Sequence, residues 1–162
     1  MEQNGAEARR ITLHGPEDFV GMRRAGQLAA ATLDMITSHV RPGITTGEID
    51  QICHDYMAAH GAVPATLGYR GYTKSSCTSV NHVVCHGIPG ERVLADGDII
   101  NIDVTVILDG WHGDTSRMYG VGQVGTKARL LMDVTYEALM LGVAAVKPGA
   151  TLGDIGHAIQ SF

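Results

Sequence analysis

The sequence predicts an α/β domain of the α+β kind, and three observations predict it. Helical stripes open the chain, a middle region carries short β-forming runs, and the opening helical pattern returns near the end. The 162 residues are 44% hydrophobic and 18% charged, enough for one ordinary domain with a real core and too apolar for disorder. A formal charge of −5 argues against a nucleic-acid face. No run approaches the ~18 apolar residues of a membrane span, and the start, Met1-Glu2-Gln3-Asn4-Gly5, lacks the basic-then-apolar signature of a signal peptide. Cys53, Cys77 and Cys85 are too few and too unevenly spaced for a disulfide framework, so a cytoplasmic location is expected.

Residues 1–15 are polar and predict a flexible segment. Gly15-Pro16-Glu17-Asp18 then reads as a helix entry, because proline in the first turn sacrifices no needed N–H and acids suit the positive end. Met22, Ala25, Ala29, Leu33, Ile36 and Val40 form an amphipathic stripe that Arg41-Pro42-Gly43 stops. Thr45 and Glu48 have capping-box spacing, and Ile49, Ile52, Cys53 and Tyr56 share one face of a second helix ending near Gly61. Val63 to Tyr119 reads as strands broken by Gly, Asn and Asp. Leu131, Val134, Ala138, Leu141 and Ala145 restore a helical stripe, ended by Lys147-Pro148-Gly149.

Val146–Ile155 repeats Val40–Ile49 without a gap, keeping Val, Pro, Gly, Thr, Gly and Ile and conserving charge at Arg41/Lys147 and Glu48/Asp154. Shared capping rules alone can produce such a likeness, but the flanking stripes also match, which favours duplication. Phe162 corresponds to Tyr56, so residues 16–125 read as one complete unit and 126–162 as the opening helices of a second. That second unit is expected to need about another hundred residues.

Asp109-Gly110 is a strong two-residue hairpin turn. It pairs Leu108 with Trp111 and sets Asp114 opposite Thr105, with Asp103 a diagonal neighbour about 7–8 Å away on the same face. Two carboxylates then meet on one patch, suited either to hard divalent cations or to a shared proton. The alternative is an ordinary wet outer face, but aspartate is disfavoured inside strands and two occur here together. Asp96, Asp98 and Asp109 lie beside turns and are assigned no chemical role.

If Asn81-His82 is also a turn, Val80 pairs with Val83 and Cys77 faces His86. Such a pair serves either as a thiolate with its base or as a thiol lining a pocket where His86 acts otherwise; the lack of an orienting third group favours the second. His14, His39, His54, His60 and His157 read as surface residues. Gly120-Val-Gly-Gln-Val-Gly125 imitates a dinucleotide-binding turn but is rejected, since its preceding strand is polar and no second strand follows the helix.

Together, Gly68-Tyr-Arg-Gly-Tyr72, Cys77-Thr-Ser-Val-Asn81, Val83-Val-Cys-His-Gly-Ile-Pro89, Asp96–Val106 and Asp109–Ser116 resemble the type I, shorter bacterial methionine aminopeptidases, two-lobed pita-bread metallopeptidases. The likeness runs from about Pro16 to the end. It implies an N-terminal lobe over residues 16–125, with an antiparallel sheet and covering helices, and a truncated second lobe from residue 126. It implies Asp103 and Asp114 as ligands of a two-metal centre (Co, Mn, Fe or Zn), His86 as a catalytic group contacting substrate at the scissile amide, and Tyr69, Tyr72 and Cys77 as walls of the methionine pocket. Thr66 stands where relatives often have Cys.

The implied activity is hydrolytic removal of N-terminal methionine from nascent proteins and peptides, near the ribosome, with no direct nucleic-acid or membrane partner. Relatives complete the ligand set with a histidine and two glutamates from the second lobe, so the 162-residue chain is expected to be inactive alone. The rival expectation is a non-catalytic half-domain that self-associates or binds a complementary fragment; a prolidase-like relative is a lesser one.

Overall fold

Ile100, Ile102, Val104 and Val106 alternate along one strand and are completely buried, whereas Asn101, Asp103 and Thr105 between them are partly open. This strand, β3 (Ile99–Leu108), is the centre of a four-stranded antiparallel sheet in the computed structural model, which describes residues 11–162. β4 (Trp111–Gly120) pairs along its whole length. β2 (Ser76–Val80) and the short β1 (Val63–Pro64) share its other edge, at opposite ends. The apolar face packs under α1 (Pro16–Ile36) and α2 (Thr46–Ala59), which contribute Ala25, Leu28, Leu33, Ile36, Ile49, Cys53 and Met57 to the core.

α1 lies very close to β4. A Cβ placed on Gly113 would run into the backbone of Ala25 and Gly26, so only glycine allows this approach. The Tyr119 hydroxyl donates to the Leu33 carbonyl at 2.7 Å, and Arg117 reaches Asp34 at 2.8 Å, so two further β4 side chains hold the helix. At the start of α1, the Asp18 carboxylate accepts from the Gly15 amide at 3.0 Å and Pro16 fills the first turn. Of the segment expected to be flexible, residues 1–10 lie outside the described residues. His14 contacts Asp18 at 3.2 Å and meets Trp111 edge-on at 5.3 Å.

The repeat seen in the sequence is a repeat of local structure. Gly43 and Gly149 have φ of 94° and 87°, a left-handed conformation that a side chain would strain. Thr45 and Thr151 each cap the following helix in a capping box completed by Glu48 and Asp154, respectively. The second pair of helices is α3 (Thr126–Ala144) and α4 (Leu152–Gln160), which pack on each other. The burial, however, does not repeat. Leu131, Val134, Leu139, Ile159 and Phe162, which align with Ala25, Leu28, Leu33, Cys53 and Tyr56, are exposed. Among the described residues no helix is long and apolar enough to cross a membrane.

One predicted hairpin is corrected. Residues after Asn81 do not return as a strand beside β2; Cys77 pairs with Asp103 of β3, not with His86. Asn81 commits its polar groups to β3 instead. Its amide donates to the Ile99 carbonyl at 2.9 Å, its side-chain oxygen accepts from the Ile99 amide at 3.0 Å, and its side-chain NH2 donates to Asp98 at 2.8 Å. The tight turn itself survives as the Val83 amide donating to the Val80 carbonyl.

Asp98 closes the same junction. Burial works to raise its pKa, but the Ala95 amide, the Asn81 side chain and Arg92 outweigh it and hold the carboxyl below its usual range. A carboxylate with a depressed native pKa contributes stability above its unfolded value of about 3.9 and loses it as pH falls through the native value. Asp98→Asn should therefore be less stable than the parent above about pH 5, the gap closing below about pH 4. Urea titrations across that range check this, and a gap independent of pH would contradict it.

Candidate metal and peptide cleft

The open face of the sheet forms the floor of a cleft of about 690 Å³. The Asp109-Gly110 reversal has φ of 51° and 84°, positive at both turn positions as its geometry requires, and it produces the expected register: Leu108 opposite Trp111 and Thr105 opposite Asp114. Asp103 and Asp114 therefore share the floor. Partial burial and then the Asp114 charge raise the pKa of Asp103, with His86 acting in the opposite direction. The two charge effects follow from the shared cleft, which His86, Asp103 and Asp114 all line.

β2 and the loop before it form one wall. Cys77 extends the floor beside Asp103, and the Tyr72 hydroxyl donates to the Ser76 carbonyl at 2.8 Å while lying 3.5 Å from the Cys77 sulfur. Burial raises the pKa of both Tyr72 and Cys77, so the thiol stays protonated, as suits a lining group better than a nucleophile. Asp50 of α2 fixes the root of this wall. Its carboxylate accepts from the Ser75 amide at 3.0 Å and from the Ser76 hydroxyl at 2.7 Å. Tyr69 belongs to a 3-10 turn, Tyr69–Gly71, inside a loop closed by the Thr66 hydroxyl on the Lys74 carbonyl at 3.0 Å.

His86 reaches the cleft by a route the sequence did not suggest. Its φ is 57°, unusual for a non-glycine residue, and the next residue is clamped onto β2. The Thr78 amide donates to the Gly87 carbonyl at 2.7 Å, the Gly87 amide donates to the Ser79 hydroxyl at 3.1 Å, and a Cβ on Gly87 would collide with the Thr78 carbonyl. His86, Tyr69, Tyr72, Cys77, Asp103 and Asp114 thus line one cleft. Thr105 and His112 also line it and went unassigned in the sequence, although alternation puts both on the face of Asp103 and Asp114.

Two carboxylates offer hard oxygen donors that suit divalent cations, but a cation takes roughly four to six donors. Among the described residues no group of three or more His, Cys, Asp or Glu side chains gathers to hold a metal ion. The donor set therefore fits part of a cation site.

The sequence profile of metallopeptidase family M24 matches residues 20–162. The chain belongs to this family. The M24 chain is 59% identical over 152 residues to methionine aminopeptidase of Rickettsia prowazekii, covering 94% of the chain and 59% of that relative. It is 54% identical over 154 residues to methionine aminopeptidase of Escherichia coli strain K12, covering 94% of the chain and 58% of that relative. The crystal structure of the Rickettsia prowazekii enzyme superposes with a TM-score of 0.92 over 94% of the M24 chain and 61% of the other. These matches bear out the resemblance to methionine aminopeptidases and the pita-bread fold. The M24 chain spans about 59% of the length of the first of these relatives.

Proposed function

We propose that the chain contributes the cleft of a metal-dependent aminopeptidase that removes N-terminal methionine from nascent or short peptides in the cytoplasm, near the ribosome. The observation that carries this is the convergence of Asp103, Asp114, His86, Tyr69, Tyr72 and Cys77 on one cleft. In this reading residues 16–125 form the N-terminal lobe and 126–162 the opening helices of the second. Asp103 and Asp114 would hold divalent cations (Co, Mn, Fe or Zn), which when bound would supply Lewis acidity toward the scissile carbonyl. Tyr69, Tyr72 and Cys77 bury the methionine side chain, and the His86 ring hydrogen-bonds the scissile amide and orients it.

Two carboxylates alone bind cations weakly, so the 162-residue chain is expected to hold Mn²⁺ far more loosely than a complete ligand set and to release little Met from Met-Ala-Ser. Asp103→Asn should weaken its Mn²⁺ binding by a further ~10-fold or more. Calorimetric titration reads the affinity and chromatography reads free Met. Equal Mn²⁺ affinity in parent and variant would remove the metal assignment, and cleavage before proline instead of after Met would point to a prolidase-like activity.

A second reading is favoured by Leu131, Val134, Leu139 and Phe162, apolar and exposed on α3 and beyond α4. Here the chain is a non-catalytic half that associates with a copy of itself or with a complementary fragment. Dimers that form with rising concentration, without Mn²⁺ binding or Met release, would favour it.

A further inference from the structure

We infer that Arg70 selects peptides carrying a carboxylate beyond their first residue; this rests on the peptidase reading above. Among the described residues Arg70 is the only lysine or arginine lining the cleft, and it stands in the exposed 3-10 turn, forming no salt bridge with the two aspartates of the floor. Its guanidinium carbon lies 5.4 Å from the centroid of the Tyr69 ring, within the range of a cation–π contact. Among the described residues no carboxylate pairs with it. An arginine stacked on an aromatic face keeps its planar fork of N–H donors free, and that fork matches a carboxylate.

The backbone beneath is built to keep it there. Arg70 has φ of 48° and ψ of 34°, a left-handed conformation that costs energy in any residue but glycine. The loop enforces it. The Gly68 amide donates to the Tyr72 carbonyl at 2.7 Å, the Tyr69 amide to the Thr66 carbonyl at 3.0 Å, and the Tyr72 amide to the Tyr69 carbonyl at 2.9 Å. A cleft of about 690 Å³ takes a ligand of drug or short-peptide size. Arg70 lines the same cleft as Tyr72 and Cys77, so a peptide whose methionine lies against those two has its later residues within reach of the free guanidinium, where a negative group would be held.

The carboxylate has two sources, an acidic side chain or the C-terminus of a short peptide, and the test separates them. Calorimetry would compare Met-Ala-Ala-amide, Met-Ala-Asp-amide, Met-Ala-Lys-amide and Met-Ala-Ala with a free C-terminus, each binding the 162-residue chain at low and high salt. The expected result is tighter binding of a carboxylate peptide than of the neutral amide by about two- to five-fold, the ratio shrinking in salt. Preference for Met-Ala-Asp-amide identifies the side chain, and preference for free Met-Ala-Ala the terminus. Arg70→Gln should bring either ratio to one, and Arg70→Lys should retain part of it. Equal affinities, or tighter binding of Met-Ala-Lys-amide, would overturn the inference while leaving the peptidase reading in place. Failure of Met-Ala-Ala-amide itself to bind would overturn both.

Discussion

Gly113→Ala is expected to cost about 3 kcal/mol or more of folding stability, a large share of the 5–15 kcal/mol typical of a domain. The added methyl group meets the backbone of Ala25 and Gly26, not a side chain that can swing aside. The helix must lift from the sheet or the strand must bend, and either opens the core beside Ala25 and Val106. The control lies one residue along α1. A Cβ on Gly26 meets nothing within 4 Å, so Gly26→Ala should gain ~0.5–1 kcal/mol from helix propensity. Urea midpoints of the two variants should move in opposite directions. Near-equal midpoints would mean that α1 does not rest on β4 at this point. Because Asp114 adjoins Gly113, the Gly113 variant should also lose whatever Mn²⁺ affinity the parent has.

The second large effect is expected at Asp50, which never touches the cleft. Asp50→Ala removes the acceptor of the Ser75 amide and the Ser76 hydroxyl, both in buried residues, and should destabilise by about 2–4 kcal/mol. The damage should spread in a definite direction. Ser76 receives the Tyr72 hydroxyl on its carbonyl and precedes Cys77, so the wall built by these two residues should loosen. Asp50→Asn keeps an acceptor oxygen and should recover part of the stability. Hydrogen exchange at the amides of residues 75–78 would read the local loss. Protection there as strong as in the parent would show that β2 does not depend on α2.

Much of this architecture was legible because its rules are local. The stripe of Ala25, Ala29, Leu33 and Ile36 (its expected first member, Met22, is exposed), the capping threonines and the Asp109-Gly110 turn each act over a few residues, and alternation carries Asp103 and Asp114 to one face. The same alternation also reached Thr105 and His112, two neighbours on that face that had drawn no assignment. The path of His86 was not legible. Asn81-His82 looks like a hairpin turn from its neighbours, but Asn81 spends its hydrogen bonds on Asp98 and Ile99, far along the chain. What brings His86 to the cleft is the close approach of Gly87 to Thr78, a contact between backbones that leaves no periodic trace. The wall residues Tyr69 and Tyr72 are legible only through family likeness, since an irregular loop has no period to read, whereas Cys77 of β2 is reached by strand spacing as a pocket-lining thiol, though in the wrong pairing.

β3 turns Ile100, Ile102, Val104 and Val106 to the interior and Asn101, Asp103 and Thr105 to the open face, residue by residue. A slip of one position in its pairing would turn Asp103 toward the apolar core and Ile102 toward water. Folding and chemistry therefore rise or fall on a single alignment, and evolution cannot tune one of them here without auditioning the other.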